Sequence, residues 1–118
     1  MTDHQHADDF QKERQALNDL VMKHANLGIK RFYNLDAQAY EAGALDKKTK
    51  ELLGLTASLV LRCDDCVMYH IIQCREAGVK TGELTEALNI GLIVGGSIVI
   101  PHLRRAFKAW EELAQPVP

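Results

Sequence analysis

Cys63-Asp64-Asp65-Cys66-Val67-Met68-Tyr69-His70 is the stretch on which the reading of this chain turns. Two thiols three residues apart and an imidazole four residues further on share one face only if the segment is helical. The flanks agree with a helix. Val67, Met68, Ile71 and Ile72 supply apolar positions, and Gly78 is a natural left-handed stop, so a helix is expected from about Cys63 to Gly78.

Outward from it, helical signals recur. Asp46 is suited to N-cap a helix from Lys47 to about Leu61, with Leu52, Leu55, Leu59 and Val60 as its apolar stripe. Phe10, Leu17, Leu20, Val21, His24 and Leu27 predict a first amphipathic helix from Asp8 to Gly28, and Ala37 to Glu41 a short second one beside Phe32, Tyr33 and Tyr40. A fifth helix is expected from about Glu83. A sixth carries His102, Leu103, Phe107, Trp110 and Leu113, with Ser97 and Pro101 marking the break between the two. No segment reads as a long strand. The expectation is an all-α bundle of about six helices. It forms one domain over residues 1–118, with 1–8 and 115–118 as flexible ends.

The chain has 118 residues, 47% of them hydrophobic, and a formal charge of -2. That is one core's worth of packed globular protein. Basic residues are scattered apart from Lys47-Lys48-Thr49-Lys50 and Arg104-Arg105, so no nucleic-acid footprint is present. The N-terminal stretch has neither a basic nor an apolar secretion region, and a cytoplasmic location is the expectation. The longest apolar run, Ile90 to Ile100, falls short of the roughly 20 residues a membrane span requires. It reads as a buried helix or an oligomer seam, and Gly91 and Gly95, one turn apart, allow a close helix crossing. A small chain with this much apolar surface is expected to self-associate.

Both Cys63 and Cys66 fall in the first helical turn, where free N–H groups and the helix dipole favour the reactive thiolate. Their spacing permits a local disulfide. His70 is placed to take or return the Cys66 proton. Asp64 and Asp65 oppose thiolate formation by charge. Glu51, on the preceding helix, would meet His70 or Cys66 if the two helices fold antiparallel; otherwise it is a solvated surface carboxylate. Cys74 reads as a small core residue. Tyr69 is expected to pack against the third helix. Thiol redox chemistry, a metal site and plain packing all remain open for the cluster. Zinc would need a fourth ligand from Glu51, His24 or His102.

Glu51 followed by Cys63-x-x-Cys66-x-x-x-His70 in a helical chain resembles the carboxymuconolactone decarboxylase family, specifically its alkylhydroperoxidase D-like branch, over roughly Ala44 to Leu113. The resemblance implies a hydroperoxide-reducing thiol oxidoreductase without cofactor or metal. Cys66 would attack the peroxide and become a sulfenic acid, and Cys63 would resolve it to a disulfide. Glu51 and His70 match the family's proton-relay residues. An external dithiol donor, lipoyl-type or thioredoxin-like, would recycle the pair, and the subunits would form trimers or hexamers. The family normally has a second histidine just before the attacking cysteine; this chain has Asp65, so its relay is not complete. Two other functions stand beside the peroxidase: cofactor-free lactone decarboxylation, and a non-catalytic redox-sensing oligomer.

Overall fold

A computed structural model describes residues 3–114, with side chains from Ala7 onward. The order is α1 (Asp3–His24), α2 (Leu27–Ala39), α3 (Lys47–Val60), α4 (Asp64–Glu76), α5 (Thr81–Gly95), a 3-10 turn (Ser97–Val99) and α6 (Ile100–Ala114). Among the described residues there is no strand, and the all-α, six-helix expectation holds. Residues 1, 2 and 115–118, part of the ends expected to be flexible, lie outside the described residues.

Helices α3 and α4 form the hairpin that carries the cysteines, and its turn is built from local hydrogen bonds. Asp46 caps α3 by accepting from the Thr49 amide at 2.8 Å. Hydrogen bonding by the Thr49 side chain, and then by its amide, holds the carboxyl below the usual carboxylate range. At the other end Arg62 takes a left-handed conformation (φ 59°), and the amides of Arg62 and Cys63 reach back to the carbonyls of Leu59 and Ser58. This is a Schellman stop with arginine in glycine's usual place. It delivers Cys63 directly to the N-cap of α4. Helix α4 ends in the same way at Gly78 (φ 81°), with Val79 buried just beyond it.

The core joins α3, α4, α5 and α6. Leu55 and Leu59 meet Val67 and Ile71, then Leu84 and Leu88, closed by Val99, Ala106 and Trp110. Each large side chain so buried is worth about 1.5–3 kcal/mol of transfer free energy. Trp110 satisfies its indole N–H on the Thr81 hydroxyl at 3.0 Å. The close crossing expected at Gly91 lies inside the chain: a Cβ there would stand 2.9 Å from Leu59 Cδ2 on α3. Elsewhere the run from Ile90 to Ile100 is largely not core. Ile93 is 75% exposed, with Ile90, Val94 and Ile98 also outside.

The N-terminal third differs from its sequence reading. Helix α1 begins at Asp3 rather than Asp8, so residues 3–8 are helical. It stops at His24, before Gly28. Asn26 starts a new helix by accepting from the Ile29 amide at 2.9 Å, and Gly28 lies in the first turn of α2. Helix α2 therefore replaces the short helix expected over Ala37 to Glu41. It buries no residue in the chain, and Phe32 is 70% exposed. No helix among the described residues is long and apolar enough to cross a membrane.

Candidate functional site

The start of α4 is where the chemistry gathers. Cys63 and Cys66 are joined as a disulfide with their Cα atoms 5.2 Å apart. Cys63 Sγ also accepts from the Cys66 amide at 3.2 Å, so the first cysteine caps the helix that carries the second. Cys63 is half-buried and Cys66 exposed. A pair with one accessible sulfur in a helix's first turn can cycle between thiolate and disulfide.

The two aspartates between the cysteines have different surroundings. Burial pushes the Asp64 carboxyl up, but hydrogen bonds from His102 and Arg105 on α6 outweigh it and hold the group below its ordinary range. The distances are 2.7 Å to His102 Nδ1 and 3.0 Å to Arg105 Nη2. Much of the charge of Asp64 is thereby compensated. Asp65 has no such clamp among the described residues and faces the cavity over Cys66.

Behind Cys66 sits a buried polar pair. Glu51 is 2% exposed and His70 7%, and His70 Nδ1 lies 3.2 Å from Glu51 Oε2. The solvated alternative for Glu51 does not hold. A carboxylate at Nδ1 can only accept, so the ring proton belongs on Nδ1 and Nε2 is left as an acceptor. Tyr40, the C-cap residue of α2, supplies the donor: its hydroxyl stands 3.4 Å from Nε2. Burial, with the charges of Asp36 and Glu51, pushes the Tyr40 phenol up, which keeps it a donor at neutral pH. With the cysteines as a disulfide, the imidazole's hydrogen-bond partners among the described residues are Glu51 and Tyr40, not Cys66.

Gly54 makes this arrangement possible. A Cβ there would lie 2.6 Å from His70 Cε1 and 2.7 Å from the Tyr40 hydroxyl. Neither Gly54 nor the hydrogen bond of Tyr40 was anticipated from sequence. A glycine one turn after Glu51 inside a helix was the available signal, because such a glycine costs about 1 kcal/mol relative to alanine unless something needs the space.

A cavity of about 540 Å3 opens over Cys66, lined from α4 by Asp65, Tyr69 and His70 and from α1 by Phe10, Arg14 and Leu17. Tyr69, expected to pack on the third helix, instead forms cavity wall, edge-on to the His70 ring at 5.1 Å. The Arg14 guanidinium lies over the Tyr69 ring, 4.1 Å from its centre. Cys74 is a free, fully buried thiol. Burial, with a contribution from the charge of Glu51, pushes it up to about 12. It belongs to the core, as expected. Among the described residues no group of three or more His, Cys, Asp or Glu side chains could hold a metal ion. His24, one of the ligands considered for zinc, is exposed at the end of α1, and His102 is engaged with Asp64.

Comparison with known proteins agrees with this picture. The model of the carboxymuconolactone decarboxylase family matches residues 29–112. A solved Thermotoga maritima structure, described as a protein of that family with possible involvement in antioxidative response, is 55% identical with a TM-score of 0.86, covering 89% of each chain. A Legionella pneumophila protein of the family, solved in its apo form, is 26% identical with a TM-score of 0.84, covering 92% of this chain and 97% of its own. A Cupriavidus necator protein described as uncharacterized is 31% identical over 82 residues, which is 70% of this chain and 73% of that one.

Proposed function

The chain belongs to the carboxymuconolactone decarboxylase family, and we propose from that premise that it is a thiol-dependent hydroperoxide reductase of the alkylhydroperoxidase D-like branch. The observation that carries the reading is the Cys63–Cys66 disulfide, with Cys66 exposed under a cavity that His70 also lines and Glu51 buried against His70. The antioxidative involvement suggested for the Thermotoga protein points the same way.

In the proposed cycle the Cys66 thiolate attacks the outer oxygen of the hydroperoxide. The S–O bond forms as the O–O bond breaks, and the electron pair leaves on the alkoxide, which takes a proton to become the alcohol. Cys63 thiolate then attacks the sulfenic sulfur, forming the S–S bond and releasing hydroxide, which is protonated to water. An external dithiol returns the pair to thiols. One hydroperoxide and one dithiol thus give alcohol, water and one disulfide. His70, held by Glu51, moves the protons. Engaged with Tyr40 in the disulfide state, its Nε2 becomes the base once the thiols are restored.

Self-association is part of the proposal. It is supported by the bare apolar faces of α2 and α5, on which Phe32, Leu35, Ile93 and Val94 are exposed.

The test is consumption of cumene hydroperoxide with dithiothreitol or dihydrolipoamide as donor. Turnover is expected in the wild type, loss in Cys66→Ser, and a dimedone-trappable sulfenate in Cys63→Ser. Reversible dithiol oxidation without turnover would make the protein a disulfide carrier or sensor. A lactone decarboxylase activity surviving Cys66→Ser would favour the cofactor-free alternative.

A further inference from the structure

Arg14 lies on the face of α1 that lines the Cys66 cavity, together with Phe10, Glu13, Leu17 and Asn18. We propose that Arg14 is the cation that serves Cys66: it stabilises the thiolate before attack and, on the peroxidase reading above, the alkoxide that leaves.

The cavity wall holds three carboxylates, Glu13, Asp36 and Asp65, and one guanidinium, that of Arg14. Arginine among carboxylates ordinarily forms bidentate ion pairs. Arg14 forms none with the described residues within 4.0 Å. Its guanidinium is held by the face of Tyr69 at 4.1 Å. Stacking of this kind occupies a face of the planar group and leaves its N–H edge free for an anion. Tyr69 is itself braced edge-on against His70, so the cation is carried on the wall that includes the buried relay.

Charge shows why a cation is needed there. The carboxylate of Asp64 is compensated by His102 and Arg105. The carboxylate of Asp65, next in sequence to Cys66, is not, and it opposes a thiolate. An always-charged guanidinium on the same cavity offsets it without a proton of its own to lose. The anion is on sulfur before attack and on the departing oxygen after it, so one fixed cation facing the cavity serves both.

The experiment reads Cys66 itself. In a Cys63→Ser background, the rate of iodoacetamide alkylation is followed against pH by peptide mass spectrometry. Arg14→Gln is expected to move the midpoint upward by about half a unit to one unit. Arg14→Lys should restore part of the shift, and Asp65→Asn should move the midpoint downward. With both cysteines present, Arg14→Gln should lower kcat/KM for cumene hydroperoxide about tenfold, partly recovered in Arg14→Lys. Circular dichroism of each variant separates these effects from unfolding. An unmoved midpoint in folded Arg14→Gln overturns the assignment. A midpoint that moves in a protein without peroxide turnover upholds the thiolate role while the peroxidase reading falls.

Discussion

Replacing Gly54 by alanine sets helix propensity directly against the site. Propensity alone favours the alanine by about 1 kcal/mol in a helix interior. The structure opposes it, because the new methyl would stand 2.6 Å from His70 Cε1, 2.7 Å from the Tyr40 hydroxyl and 2.9 Å from His70 Nε2. None of these is the free end of a flexible chain: the imidazole is buried against Glu51, and the phenol is placed by the end of α2. Overpacking of this kind costs about 1–3 kcal/mol, and losing the Tyr40–His70 hydrogen bond adds about 0.5–1.5 kcal/mol. The expected balance is a net destabilisation of about 0.5–3.5 kcal/mol. Gly82 is the matched control, a helical glycine at the start of α5 where a Cβ would meet nothing within 4 Å. Its alanine variant should be neutral or gain up to about 1 kcal/mol. Urea unfolding at one protein concentration and one redox state measures both. On the proposed mechanism, Gly54→Ala should also slow hydroperoxide turnover while Gly82→Ala does not. If Gly54→Ala proves as stable as wild type and as active, the packing assigned to His70 and Tyr40 is wrong.

Two further expectations concern titrating groups. Cys74 should stay unlabelled when the reduced native protein is treated with maleimide, so that two thiols react and the third only on unfolding. Its folded value of about 12 lies above the ordinary 9.0, so the unfolded chain releases this proton first. Its contribution to stability is therefore full below about pH 9 and falls as pH rises toward 12; Cys74→Ala should flatten that part of the urea-midpoint profile. For Asp64 the sign reverses. Its folded value lies below the ordinary 3.8, so the clamp to His102 and Arg105 stabilises above that value and is lost as pH falls through the folded one. Asp64→Asn should lower the urea midpoint at pH 5 and bring it closer to wild type at pH 3.

The hairpin around the cysteines was legible because local chemistry dictates it. Asp46 is a strong N-cap, Gly78 a strong stop, and the apolar residues between them follow the helical period. Arg62 concealed the turn itself, since a Schellman stop is normally signalled by glycine and here the fold imposes the left-handed conformation on arginine. The N-terminal helices were read poorly for a related reason. Leu17, Leu20, Phe32 and Leu35 carry the pattern of buried residues but are exposed in the single chain, so periodicity marked a face without saying what covers it. Within the site, spacing left Glu51 between His70, Cys66 and solvent, and it was the family resemblance that set it beside His70. Tyr40 and Arg14 could not be placed, because each reaches the site from another helix, across 30 and 55 positions from His70 and Tyr69 respectively.

The cap at Cys63 ties sulfur chemistry to the start of a helix. A thiolate accepts a hydrogen bond strongly and a disulfide sulfur weakly. The amide of Cys66 therefore loses a good acceptor when the pair is oxidised and regains it when the pair is reduced. The first turn of α4 is expected to loosen when oxidised and tighten when reduced, anchored on one side by the stop at Arg62. Choice of substitution matters for the same reason. Serine at residue 63 keeps an N-cap oxygen while deleting the resolving sulfur, whereas alanine would remove both and confuse a frayed helix with a lost reaction.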